Sequence, residues 1–330
     1  MILAADIGGT KTVLGLVEGD EVHSRVAREW TCRNDRHDSF AKLLGEFLGD
    51  SPPPLAAACL AVAGPVLENR VVMTNLPWVL DASEIGDLLR IPRVRLLNDI
   101  EGAALAMLHL PPEHLREIQA GTGGVRRGHV VVIAPGTGLG EAILCWDGER
   151  HHPIESEGGH IDFAPQGPEQ TALLEYLRQR FSHVSYERIL SGPGILVLYE
   201  FLRDTGRADP VPDIEAHDTG DTAALISAAG LDGSQAICVR ALDLFVRILG
   251  AKAGNLALVA LALGGVFLGG GIPPKIVPAL VDGRFRETFL DKGRHRHLLE
   301  RMSVHVALEP RASFLGAARF GLRLAETVTA

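Results

Sequence analysis

Three glycine turns and two polar clusters carry the residues in this chain that can do chemistry. Gly8-Gly9-Thr10 and Gly136-Thr137-Gly138 each pair glycines with a threonine hydroxyl. Glycine permits the φ values and close backbone approach with which turn N–H groups converge on phosphate oxygens. Asp6, just before the first turn, is a hard oxygen donor placed to hold Mg²⁺ through water. Gly269-Gly270-Gly271 follows an apolar run and precedes Pro273-Pro274. As a strand-to-helix turn it would suit a flat adenosine moiety, or simply begin a tightly packed helix. Asn98-Asp99 ends the apolar run Val94–Leu97, and strand ends of α/β sheets line ligand crevices. A carboxylate there can accept a hydroxyl proton, and it can equally cap a helix.

The second polar cluster is denser. Glu155-Ser156-Glu157-Gly158-Gly159-His160-Ile161-Asp162 sets acids and a histidine around a Gly-Gly bend. Carboxylates and imidazole accept hydrogen bonds from hydroxyls, so the cluster suits a polyhydroxyl ligand. A metal site using His151, His152 and His160 is the rival reading, but no H-E-x-x-H pattern or cysteine partner supports it. His151-His152 reads as a solvated turn, and Glu187 as a first-turn helix acid behind a Ser185 cap. His295 and His297 fall in a basic, solvated stretch.

Other phosphate sites are excluded by inspection. No lysine follows a glycine, so there is no P-loop. Gly136–Gly140 lacks the dinucleotide spacing and leads into a strand, not a helix. Neither H-R-D nor D-F-G occurs. The 330 residues, 46% hydrophobic and 22% charged, can build about two domains with a large core. A net charge of −9 makes nucleic acid and anionic membranes poor partners. The four cysteines (Cys32, Cys59, Cys145, Cys238) form no C-x-x-C or Cys/His cluster, which fits a reduced cytoplasm. No targeting segment is visible. Leu256–Ile272 has 17 residues without a polar side chain, but its five glycines mark a helix end, a buried strand near Gly265–Leu268 and a turn, too short a run to span a membrane.

The elements that must position these residues are α/β. Strands are expected at Ile2–Ala5, Thr12–Val17, about Glu21–Glu29, Ala56–Val62 and Val94–Leu97, with helices at Ser39–Leu48 and Glu101–Leu108. Composition breaks near Pro111-Pro112, and then the pattern restarts: strand Val130–Ala134, a glycine turn, and strand Glu141–Trp146. Two β–Gly-turn–β hairpins, about 125 residues apart, suggest a weak internal duplication. Long helices follow at Glu169–Phe181, Pro193–Thr205, Thr222–Ala229 and Ser234–Leu263, and a last one at Ser313–Glu326.

Taken in order, six motifs resemble one family. They are Asp6-Ile7-Gly8-Gly9-Thr10, Leu97-Asn98-Asp99, Gly136–Gly140, Glu157–Pro165, Glu187–Gly194 and Gly269-Gly270-Gly271-Ile272. The chain resembles the bacterial glucokinases of the enteric type, in the hexokinase–actin–Hsp70 ATPase superfamily, over nearly its whole length. The resemblance implies two RNase H-like α/β domains around a central cleft: residues 1–110 plus about 311–330, and about 111–310. It implies phosphoryl transfer from ATP, with Mg²⁺, to the 6-hydroxyl of glucose. Asp99 would be the catalytic base, and Asn98, Asp99, Glu157, His160 and Glu187 would hold glucose. Gly8, Gly9, Thr10, Gly136, Thr137 and Gly138 would surround the phosphates, Asp6 would reach the metal, and Gly270 and Gly271 would lie near adenosine. Such enzymes are commonly cytoplasmic homodimers.

Lys11 departs from the enteric pattern, which usually carries Asn there, and makes the opening more like the ROK group of sugar kinases and repressors. ROK proteins carry a cysteine-rich zinc motif after their G-H sequence; here His160 leads into Ile161-Asp162-Phe163 without clustered cysteines. Alternatives are a kinase for another hexose, a non-catalytic sugar-sensing regulator on the same fold, and an actin- or chaperone-like ATPase. The regulator would need an added helix-turn-helix domain, for which the hairpin at residue 2 leaves no room. The ATPase would have no use for the cluster from Glu157 to Asp162.

Overall fold

The computed structural model describes residues 1–73, 76–122, 127–154, 156–211, 214 and 222–326. The chain divides into two compact units, one of Met1–Leu110 with the segment from Arg311 onward, the other of Pro111–Pro310.

The first unit runs β1 (Ile2–Ile7), β2 (Lys11–Gly19), β3 (Ser24–Arg33), α1 (Phe40–Leu48), β4 (Ala57–Val62), β5 (Arg70–Val72), β6 (Val79–Asp81), α2 (Ala82–Leu89), β7 (Val94–Asn98) and α3 (Asp99–Met107). Its main sheet has the order β3-β2-β1-β4-β7, an antiparallel meander extended by two parallel strands. The inner strands β1 and β4 are almost wholly apolar because both their faces are covered. Side chains alternate across β1: Leu3, Ala5 and Ile7 pack with α1 residues Phe40, Leu43 and Phe47, whereas Ile2 and Ala4 meet Phe314, Ala318 and Leu322 of the C-terminal helix, Ala312–Glu326. That helix lies so close to α3 that a methyl group on Gly316 would overlap the Gly102 carbonyl. The edge strand β3 carries Arg25, Arg28, Glu29 and Arg33, charges that discourage pairing with another edge.

The second unit runs β8 (Leu115–Gln119), β9 (Val130–Pro135), β10 (Leu139–Trp146), β11 (His151–Ile154), α4 (Gly167–Arg178), α5 (Gly192–Asp204), α6 (Thr222–Asp232), α7 (Ala236–Ala260), β12 (Gly265–Leu268) and β13 (Val304–Ala307), with short helices between the last two strands. The sheet order is β11-β10-β9-β12-β13-β8. Its first five strands repeat the order and directions of the first unit's sheet. The duplication visible in the two hairpins therefore extends over whole sheets. Val131 and Ile133 of β9 face a core completed by Leu198 and Leu202 of α5 and Phe245 and Leu249 of α7.

Three features correct the sequence reading. His151-His152 is not a turn but the start of β11, paired with Cys145 and Trp146 of β10. The His151 Nε2 lies 2.9 Å from the Gly128 carbonyl, and burial holds its ring below the usual imidazole value. Strand β1 runs on through Asp6 and Ile7, beyond the expected end at Ala5. The strands β5, β6, β8, β11 and β13 and the helix α2 were not expected. Among the described residues no helix is long and apolar enough to cross a membrane.

Candidate active site

The first unit places its expected residues at the carboxyl ends of β1 and β7. Gly8 N–H donates to the Lys11 carbonyl at 3.0 Å and closes the β1–β2 turn. The turn is braced from below by Asn34, which sequence reasoning missed. Asn34 is buried; its amide donates to the Gly8 carbonyl at 2.8 Å, its N–H donates to the Thr10 carbonyl at 3.0 Å, and its side-chain oxygen accepts from Thr12 Oγ1 at 2.7 Å. A polar residue inside Arg33-Asn34-Asp35-Arg36 gives no signal of burial; only the fold does. Asp6 has its carboxyl pushed above the ordinary value by burial, against the pull of Lys11. Lys11 itself is exposed.

At the end of β7, the cap of α3 is Asn98, not Asp99. The Asn98 Oδ1 accepts from Ile100 N–H at 2.9 Å, its amide donates to the Gly64 carbonyl at 2.9 Å, and Glu101 Oε2 accepts from Asn98 N–H at 3.1 Å, a reciprocal capping box. Asp99 is the first helical residue, half-buried, with Oδ1 2.9 Å from the Ile100 nitrogen and its carbonyl accepting from Ser313 Oγ at 3.0 Å. The helix start is thus held by Asn98, and the Asp99 carboxylate is not required as its cap.

The second unit brings Glu157, His160 and Glu187 together. Nε2 of His160 lies 3.8 Å from Glu157 Oε2, and Nδ1 lies 3.8 Å from Glu187 Oε1. The imidazole side chain is 57% exposed, so the trio opens to solvent and to a ligand. Glu187 is not in a helix, which corrects the reading behind a Ser185 cap: Ser185 bridges to Asp162, and Glu187 N–H donates to the Gly159 carbonyl at 3.0 Å. The Glu187 Oε2 also accepts from Leu139 N–H at 3.0 Å and would stand 2.6 Å from a methyl on Gly138. The second glycine turn and the trio therefore share Glu187. Asp162 is exposed beside His183, and Glu155 lies outside the described residues.

Gly136 and Gly270 meet in the same region. Gly136 N–H donates to the Gly138 carbonyl, and Gly192 N–H to the Gly136 carbonyl, each at 2.8 Å. Gly270, at φ +78°, lies so near Pro135 that a Cβ would stand 2.5 Å from the Pro135 carbonyl oxygen; only glycine fits. Beside these turns opens a cavity of ≈ 770 Å³, walled by Gly136, Thr137, Gly192, Pro193, Ile195, Ala223, Gly271, Ile272 and Lys275. Its size and mainly apolar walls suit a ligand with a flat aromatic part. The helix residues of this wall were not foreseen, since small apolar side chains carry no local signal of a pocket.

Among the described residues no three His, Cys, Asp or Glu side chains gather as metal ligands. Asp6 is a single hard oxygen donor just before the first glycine turn, a donor that would fit a Mg²⁺ reaching the protein mainly through phosphate and water.

Two repeated mixed sheets with glycine turns at their strand ends define a protein of the actin-like ATPase fold. The glucokinase family model matches residues 3–323. The "Glucokinase" of Trichormus variabilis is 37% identical, over 98% of this chain and 99% of its own. That of Photorhabdus laumondii is 33% identical over 96% of both chains. The crystal structure of glucokinase from an Antarctic psychrotroph superposes with TM-score 0.86 at 31% identity, covering 98% of each chain. The chain belongs to the glucokinase family.

Proposed function

We propose that this protein transfers the γ-phosphoryl group of ATP to the 6-hydroxyl of glucose. The observation that carries the reading is the His160 ring set between Glu157 and Glu187, with Glu187 also fastened to the turn Gly136–Gly138. One carboxylate therefore couples a hydroxyl-binding cluster to a phosphate-binding turn. The trio holds the ring hydroxyls, and Asn98 and Asp99 hold the edge that reacts. Asp99 takes the 6-hydroxyl proton, leaving the oxygen free to attack phosphorus in line. The N–H groups of Gly9 and Thr10 and of Thr137 and Gly138 hold phosphate oxygens, Gly8 and Gly136 close the two turns with theirs and line the same phosphate site, and the cavity beside Gly270 and Gly271 takes adenosine. Asp6 would hold Mg²⁺ through water, and the ion supplies charge neutralisation on the phosphates. Lys11, an exposed cation beside the first turn, is suited to meet the terminal phosphate.

The four free cysteines and the acidic charge support a cytoplasmic enzyme, and family resemblance supports a homodimer, which light scattering measures. The deciding experiment is a coupled assay over a panel of hexoses and phosphoryl donors, with and without Mg²⁺. Glucose with MgATP should give the highest kcat/KM. Faster turnover of another hexose would reassign the substrate, and activity unchanged by EDTA would remove the metal.

A further inference from the structure

The least expected charges in the molecule lie under the Glu157–His160 turn. Lys252, on the long helix α7, forms an ion pair with Glu141 of β10, Nζ to Oε1 2.9 Å, and both side chains are almost completely buried, at 2% and 1% exposure. Removing two charges from water costs several kcal/mol each, and apolar residues of similar volume often serve stability as well or better. A buried pair is thus weak support for the fold by itself, and its contacts suggest another purpose. Lys252 Nζ also lies 3.2 Å from the carbonyl oxygen of Gly158, to which it donates, and 4.9 Å from the centre of the Tyr186 ring. Gly158 stands between Glu157 and His160 in the chain, and Tyr186 immediately precedes Glu187. The Gly158 backbone rests directly on Glu141, so closely that a methyl group would collide with the carboxylate.

We infer that Lys252, anchored by Glu141, is a positioning residue that fixes the two segments carrying Glu157, His160 and Glu187 in their hydroxyl-binding geometry. One ammonium group reaches both segments from a 25-residue helix, a rigid support for a precise site. The sequence signal is slight but real: Lys252 is the sole charged residue in the apolar stretch Ile248–Ala260. Burial raises the Glu141 carboxyl above its ordinary value despite Lys252, so the pair is held at a cost and not by solvent.

This inference rests on the sugar-site reading above, and the experiment separates the two. The variants are Lys252→Met, Glu141→Gln, their double, and Glu157→Gln as the test of the site itself. The double removes both charges and keeps the volume, so its Tm should stay near the wild-type value. Its kcat/KM for glucose should fall by about 10–100-fold, the scale of a misplaced binding group, while the KM for ATP stays within about twofold. Glu141→Gln alone keeps the Lys252 donor and should lose less than Lys252→Met. Wild-type glucose constants in the double variant, beside raised ones in Glu157→Gln, would overturn the positioning role alone. Unaltered constants in Glu157→Gln would overturn the sugar site, and the positioning role with it. Should the double variant not fold, Lys252→Gln with Glu141→Gln keeps an amide N–H donor for Gly158; kcat/KM values for glucose and ATP that fall together there would mark a merely structural pair and overturn the inference, while a near wild-type kcat/KM for glucose there, beside a lowered one in Lys252→Met, would support it.

Discussion

The side-chain amide of Asn34 holds the carbonyl oxygen of Gly8 at 2.8 Å, from a helical turn just past β3 and 26 residues away in the chain. Asn34→Ala leaves the Gly8 carbonyl and the Thr12 hydroxyl without their buried partner. The expected loss is about 1–3 kcal/mol of stability per unpaired group. The KM for ATP should also rise, because the turn bearing the phosphate-binding N–H groups loses its brace. Denaturant unfolding with steady-state kinetics on one preparation checks both, and an unchanged KM for ATP would detach Asn34 from the site.

Asn98 and Asp99 should separate cleanly by mutation. Asn98→Ala removes a capping box and should cost about 0.5–2 kcal/mol in unfolding free energy. Asp99→Asn keeps the shape and leaves that cap intact, so Tm should hardly move. Its turnover should fall roughly 10²–10⁴-fold, the usual scale for a lost general base. Glucose affinity, measured by calorimetry, should weaken far less. Near wild-type turnover would refute the catalytic role.

Substitutions at Glu157 and His160, unlike one at Glu187, should act on the sugar alone. Glu157→Gln and His160→Ala each leave a glucose hydroxyl poorly matched, which costs ~1–3 kcal/mol of binding. The glucose KM should rise by the corresponding ~5–150-fold, while the KM for ATP stays nearly constant. Equal changes in both constants would point to general damage.

Asp6 gives a pH signature. Its carboxyl is raised from 3.8 by burial, so the folded state holds the proton more tightly than the unfolded chain. This contribution to stability is full below the ordinary carboxylate value and is lost as pH rises through the raised one. Asp6→Asn has no such loss. The variant's Tm advantage over the wild type should therefore grow from pH 3.8 upward and level off once the native carboxyl ionises. A Tm difference flat across that window would contradict the buried, raised carboxyl.

Much of the site was legible because its groups sit on elements with strong local signals. β1 and β9 are apolar runs ended by glycine, interrupted only by Asp6 in β1, and their hairpins were read within a few residues. Helix α7 and strand β12 were likewise visible in the apolar stretch around Leu256–Ile272. β13 escaped because four residues with His305 in their middle carry no period, and its strand state comes from pairing with β12 and β8. β11 escaped because His151, His152 and Pro153 look like a solvated turn until β10 supplies the partner. Glu187 was misplaced for a related reason: local sequence favours a helix start, but Leu139 and Gly159 hold it in a turn. Asn34 and Lys252 depend wholly on partners distant in the chain, and no single-residue pattern announces them.

The helix Ala312–Glu326 completes the apolar face formed by Ile2, Ala4, Val13 and Val17. On the ribosome this means that β1 and β2 wait for a helix that emerges only after the whole intervening unit. The intervening unit, contiguous from Pro111 to Pro310, has its own core and can fold while the earlier one still exposes an unfinished sheet. A stalled or truncated nascent chain lacking Phe314 would leave that sheet bare, a surface for chaperone capture or aggregation. Synthesis of the helix Ala312–Glu326, and not of the strands alone, sets the moment at which the β1–β2 turn acquires a stable foundation.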